Sequence, residues 1–161
     1  MQLTGADNEN VMPTLGEAIK RGGIYYNIGG NDKSSALRNV IEAIRIPEGM
    51  DRETLLGTIL KRESQGSTGI GDGIAVPHVV SGRVSGIALC FLEGPVDFLA
   101  VDNEPVHTLF IMVSPTARIH LHLLSRLMFA LKDPVFMKTV LDHSEESRIF
   151  EEIERVGKYR R

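Results

Sequence analysis

Cysteine is almost missing from this chain: Cys90 is the only one in 161 residues. A single cysteine excludes an internal disulfide and a thiolate metal cluster. Its neighbours Ala88, Leu89, Phe91 and Leu92 are apolar, whereas a reactive thiolate needs an electropositive, partly exposed setting. Cys90 therefore reads as a core thiol. An excess of basic residues is missing too. The formal charge of −3 argues against nucleic acid as a partner, because binding a phosphate backbone wants a clearly basic face. No apolar run approaches the roughly 18 residues of a membrane span. The stretch Met1-Gln2-Leu3-Thr4-Gly5-Ala6-Asp7 has neither the basic region nor the apolar core of a signal peptide. Repeats, low-complexity tracts and linkers are also lacking. What is present, at 42% hydrophobic residues, suffices for one globular domain with a sizeable core. The expected compartment is the cytoplasm, with no membrane insertion.

The order of elements predicts an α/β domain with helices before and after a central sheet. Residues 1–12 are polar and expected to be flexible, and 158–161 form a short basic tail. Thr14-Leu15-Gly16-Glu17 matches a capping box, so a short helix starts there and ends near Gly22-Gly23. Ile24 to Ile28 is β-prone. Asp32 is the expected N-cap of a helix from Lys33 to Arg45, whose Leu37, Val40, Ile41 and Ile44 share a face. A second helix starts near Asp51 and carries Leu55, Leu56, Ile59 and Leu60 inward. Val84 to Phe91 and Val106 to Val113 read as strands, apolar enough for a sheet covered on both faces. Glu93-Gly94-Pro95 and Asp102-Asn103-Glu104-Pro105 read as the turns between them. A helical stripe follows from Ile119: Leu123, Leu124, Leu127, Met128 and Leu131. Asp133-Pro134 starts another helix. Ser144 is the expected cap of the last, with Ile149, Phe150, Ile153 and Val156 facing the core.

The chemistry concentrates in Arg62-Glu63-Ser64-Gln65-Gly66-Ser67-Thr68-Gly69-Ile70-Gly71-Asp72-Gly73-Ile74-Ala75-Val76-Pro77-His78. Glycines expose bare backbone N–H groups, and successive N–H groups can form an anion-binding hollow. Ile74-Ala75-Val76 reads as a short strand that Pro77 stops. From the residues alone, His78 reads either as a solvated loop imidazole or as part of a phosphoryl-handling site with Arg62, Ser67, Thr68 and the turn. His120 opens a helix, where positive potential suits an oxyanion; a polar residue before an apolar helix is the plainer reading. His122, two positions on, lies on another face, so the two make a poor metal pair, and no metal is expected. Gly69-Ile70-Gly71-Asp72-Gly73 is not a dinucleotide fingerprint, which needs a strand before it and a helix after it.

Thr68 through His78, preceded by Arg62-Glu63, resembles the active-site signature of the fructose/mannitol/nitrogen-type IIA (EIIA) proteins of the bacterial phosphotransferase system. Asp102-Asn103-Glu104-Pro105-Val106-His107-Thr108-Leu109-Phe110 and His120-Leu121-His122-Leu123-Leu124-Ser125 carry the similarity further. It runs over most of the chain, from about Thr14 to Val156, with 13–157 as the expected EIIA domain. The resemblance implies a single α/β domain with a mixed central sheet packed between helices. It implies that His78 accepts a phosphoryl group, that His120 and Arg62 stabilise it, and that Ser67, Thr68, Gly69, Gly71 and Gly73 form a phosphate-binding loop. The implied donor is an HPr- or NPr-like phosphocarrier. The implied acceptor is a IIB protein, or else phosphorylation switches binding to a regulated kinase or transporter. The nitrogen-regulatory branch is favoured over a fructose or mannitol transport component, by the Asp-Asn-Glu-Pro-Val run and by the expected lack of a fused IIB or membrane domain. A binding module that is never phosphorylated, and a metal hydrolase, are the alternatives. No cofactor is implied. Val79-Val80 stand where the family pattern has a small or polar residue.

Overall fold

Two long strands, β5 (Gly86–Val96) and β6 (Val106–Ser114), form the middle of a mixed sheet and decide how both of its faces are covered. Side chains alternate along a strand. Ile87, Leu89 and Phe91 with Phe110 and Met112 fill one core, and Ala88, Cys90 and Leu92 with Leu109, Ile111 and Val113 fill the other. Runs apolar at every position, as these are, suit a sheet buried on both sides. The computed structural model describes residues 12–159. The expected flexible segment 1–12 thus falls, except for Met12, outside the described residues, as do the last two residues of the tail.

The core of Ala88, Cys90 and Leu92 lies under α2 (Lys33–Ala43) and α3 (Arg52–Ser64); the core of Ile87, Leu89 and Phe91 lies under α1 (Leu15–Gly22), α4 (Ala117–Leu131), α5 (Pro134–Leu141) and α6 (Glu146–Gly157). Helix starts follow local chemistry. Thr14, Asp32, Asp51, Thr116 and Asp133 each accept a backbone N–H of the first turn, and Pro134 fills the first helical position of α5. The last helix departs from expectation. Ser144 does not cap it; Glu145 holds the cap position without a side-chain bond. The carbonyl of Ser144 instead accepts the Tyr26 hydroxyl at 2.7 Å.

With β1 (Ile24–Ile28), β2 (Gly69–Gly71) and β3 (Ile74–Ala75), the strand order is β1-β5-β6-β3-β2, β1 running parallel to β5 and β5 antiparallel to β6. Glu93-Gly94-Pro95 is not a turn. β5 continues through it, shifting register after Phe91 and pairing Val96 with Val106. A shift of this kind tolerates a proline, which has no N–H for the ladder. Pro77 likewise interrupts pairing without ending it. β3 (Ile74–Ala75) and β4 (His78–Val80) both run parallel to β6, and the Pro77 carbonyl accepts Met112 N–H at 2.9 Å between them. His78 therefore stands on a strand, not in a loop.

The α1–β5 contact is the tightest of these packings. A Cβ on Gly22 would lie 2.1 Å from the Ile87 carbonyl oxygen, so only glycine lets the helix end reach the sheet. Gly57, exposed on α3, has no heavy atom within 4 Å of its would-be Cβ. Urea unfolding should show Gly22→Ala losing about 2 kcal/mol or more by overpacking. Gly57→Ala should gain ~0.5–1 kcal/mol from helix propensity.

Candidate functional site

β4 and the first turn of α4 bring His78 and His120 together. α4 begins just after β6 ends at Ser114, because Thr116 caps it, its Oγ1 accepting from Ile119 N–H at 3.2 Å. The imidazoles stack with centroids 4.5 Å apart and planes 26° apart. His78 is half-buried, and its Nδ1 lies 3.0 Å from the carbonyl oxygen of Val76. A carbonyl can only accept, so Nδ1 carries the proton and Nε2 carries the lone pair. His120 is more enclosed. Its Nδ1 is buried and meets no partner among the described residues, and neither does the hydroxyl of Ser114. Burial first, and then proximity to His78, lower the His120 pKa below the ordinary imidazole value. A charge is costly in a closed site, and a second charge beside it costs more.

Arg62 lies in the last turn of α3, half-buried, and its Nη1 donates to the Gly66 carbonyl at 2.8 Å. The guanidinium thus folds over the turn that follows the helix. No carboxylate ion-pairs with it among the described residues. Its positive charge remains uncompensated there.

The glycine-rich stretch is less open than its sequence suggests. Gly69–Gly71 is an edge strand, β2, antiparallel to β3, and only Asp72-Gly73 turns. Both turn residues have positive φ, 56° and 78°, as a type I′ hairpin requires. Several amides are committed internally. Gly69 N–H donates to Ser67 Oγ at 3.0 Å, and Asp72 N–H to Asp102 Oδ2 at 3.0 Å. Buried Thr68 directs both its N–H and its hydroxyl at Glu63. These groups are not the free donors that the expected phosphate loop would need. A steric reason for the glycines is on view instead. A Cβ at Gly69 would lie 2.7 Å from Ala100 Cβ, and one at Gly73 would lie 2.2 Å from the His107 ring.

The other expectations resolve simply. His122 Nε2 lies 3.0 Å from the Pro13 carbonyl, on a different face of α4 from His120. Arg118 is exposed. Cys90 is fully buried and its thiol pKa is pushed far up by desolvation. Val79 is buried in the core under α2 and α3, so only the exposed Val80 flanks His78 on the surface. Among the described residues no three His, Cys, Asp or Glu side chains are grouped to hold a metal ion, and no helix is long and apolar enough to cross a membrane. A second histidine pair went unread. His107 and His143 lie 5.6 Å apart by centroid, with His143 stacked on Phe91 at 4.4 Å. His107 sits five residues before Met112, the β6 partner of His78, roughly 16 Å away by strand rise. The positive φ of His143 has no signature in the sequence.

A family model described as phosphoenolpyruvate-dependent sugar phosphotransferase system, EIIA 2, matches residues 17–156. The chain belongs to this family. Among its relatives is a nitrogen regulatory protein of Pseudomonas aeruginosa, 37% identical over 116 residues that cover 70% of this chain and 75% of that one. The fold is that of the nitrogen regulatory protein IIA-Ntr from Neisseria meningitidis, with TM-score 0.68 and 23% identity over 81% of this chain and 92% of that one. It is also that of the Escherichia coli enzyme IIAMTL in its complex with phosphorylated enzyme IIBMTL, with TM-score 0.63 and 17% identity over 81% and 93%. Membership makes the chain a phosphotransferase-system IIA protein with a phosphocarrier's place in that system.

Three histidines, one buried and two partly buried, give a test of the electrostatics. His107, His120 and His143 all have pKa values lowered by burial. Between those values and the ordinary value near 6.5, the unfolded chain binds more protons than the folded one, so lowering the pH favours unfolding. Stability should be complete above about pH 6.5 and fall as the pH drops through the folded values. Urea unfolding across pH 5 to 8 should show this slope, and His120→Asn should make it shallower.

Proposed function

We propose that His78 Nε2 accepts a phosphoryl group from a phosphohistidine on an HPr- or NPr-like carrier in the cytoplasm. The observation that carries this reading is the bond from Nδ1 of His78 to the Val76 carbonyl, which leaves the Nε2 lone pair available beside His120. In the transfer, Nε2 bonds to phosphorus as the donor's P–N bond breaks. The electron pair of that bond returns to the donor ring, and the proton stays on Nδ1, donated to the Val76 carbonyl. Such transfer needs positioning and charge stabilisation more than covalent help. The unpaired guanidinium of Arg62 would supply charge. With Nδ1 of His120 closed in, its Nε2 is the nitrogen able to meet the phosphoryl oxygens. The expected loop of Ser67, Thr68, Gly69, Gly71 and Gly73 then acts by shaping the approach to His78 more than by donating amides.

The likeness to nitrogen regulatory proteins supports a regulatory role. Phosphorylation would add about two negative charges at His78, altering that surface for a regulated kinase or transporter. The mannitol IIA–IIB complex among the structural relatives supports a second reading, transfer onward to a IIB cysteine. In either case the chain acts as a phosphotransferase through a phosphohistidine intermediate.

Incubation with labelled phosphoenolpyruvate and the two general carrier proteins should give acid-labile phosphate on the wild type and none on His78→Ala. Arg62→Ala should stay folded by circular dichroism and take up label ~10²–10³ times more slowly. Label on His78→Ala, or a wild type that never labels, would overturn the assignment; the second outcome would point to a binding module.

A further inference from the structure

Glu63 is a buried carboxylate that the transfer chemistry does not use. It is 6% exposed, and it directly follows Arg62 in the last turn of α3. One of its oxygens accepts the Lys33 ammonium at 2.9 Å, and Lys33 also stands 5.3 Å above the Phe98 ring. The carboxylate accepts the N–H of Thr68 at 3.2 Å and the Thr68 hydroxyl as well. The other side of Thr68 reaches further. Its carbonyl accepts Val76 N–H at 3.0 Å, and the Val76 carbonyl is the group that holds Nδ1 of His78. A continuous path therefore runs from Lys33 through Glu63, Thr68 and Val76 to the ring that would take the phosphoryl group.

The geometry points to Glu63, held by Lys33, as the positioning residue that fixes the Val76 carbonyl where it selects the Nδ1–H tautomer of His78. The inference rests on the reading of His78 as phosphoryl acceptor, but it concerns the ring before any phosphate arrives. The physical reason is the stiffness of the path. A residue held only by β2–β3 pairing at a sheet edge can shift, whereas Thr68 is fixed on its donor side by a charge-assisted bond, which is shorter and stronger than a neutral one. A released Val76 carbonyl would let the imidazole populate both tautomers, and in the Nε2–H form the outward nitrogen has no lone pair for phosphorus. Lys33 pairs with the carboxylate at 2.9 Å, at a place where an unpaired charge would be costly. Arg62 and Glu63 thus divide the end of α3 between them: one presents charge toward the turn, and the other anchors the strand behind it.

The test uses the full chain labelled with ¹⁵N-histidine, with imidazole nitrogen shifts of His78 read by NMR without any phosphoryl donor. Glu63→Gln should move the ring toward the Nε2–H form and slow label uptake ~10–100-fold, the scale of a small misplacement at a reacting centre. Should Glu63→Gln fail to fold, Thr68→Val removes one donor in the path and Thr68→Ser restores it. Thr68→Val is expected to shift the tautomer in the same direction, and Thr68→Ser to return it to the wild-type state. If His78 keeps its Nδ1–H form in every folded variant, the positioning role is overturned, including the case where Thr68→Val slows labelling and thereby acts on the phosphate directly. The NMR measurement needs no phosphorylation, so a wild type that never takes label contradicts the carrier reading and leaves this one to be decided by the ring alone.

Discussion

The hydrogen bond between Nδ1 of His78 and the Val76 carbonyl is the constraint on which the site depends. It joins a ring to the backbone two residues earlier, across Pro77, and so turns a property of the strand into a property of the imidazole. Pro77 interrupts the ladder where β3 gives way to β4, while both strands stay on β6. The interruption frees the Val76 carbonyl for a side chain, and β6 pairs again from Met112 onward. His78 is thereby half-exposed at the start of a strand whose next residue, Val79, is buried in the core.

The surrounding elements each limit what that ring can do. α4 starts early enough after β6 to set His120 against it, and the enclosure of His120 keeps that neighbour neutral over a wider pH range. α3 ends so that one residue offers a cation and the next a buried anchor. The β2–β3 hairpin closes over the 97–103 segment and His107 through glycines that allow contact no other residue could make. A rigid frame of this kind suits phosphoryl transfer, where alignment and fixed charge count for more than a covalent partner.

Much of this was legible in the sequence where the cause is local. The caps at Thr14, Asp32 and Asp133 follow from short polar side chains at the right offset, and the structure uses each of them. The two apolar runs identified the central strands. Errors arose where distant partners decided the outcome. Glu93-Gly94-Pro95 has the composition of a turn, but pairing of Val96 with Val106 draws it into β5. Ser144 has the side chain of a cap, but the last helix is capped one residue later, at Glu145, and the Ser144 carbonyl accepts the Tyr26 hydroxyl. The glycines of β2 read as an open anion hollow because the segment that packs on them, Ala100 to His107, lies some thirty residues on. The site itself was readable only through its family motif. Spacing cannot reveal that residues 78 and 120 stack, nor that Glu63 lies beneath Thr68.

The central claim is that the outward nitrogen of His78 is Nε2 because Nδ1 is occupied. Phosphorylated protein carrying ¹⁵N-histidine would test it most directly, through the one-bond coupling between phosphorus and a ring nitrogen. The account predicts that the coupling appears on Nε2 of His78 while Nδ1 keeps its proton. Coupling on Nδ1, or on the ring of His120, would contradict it.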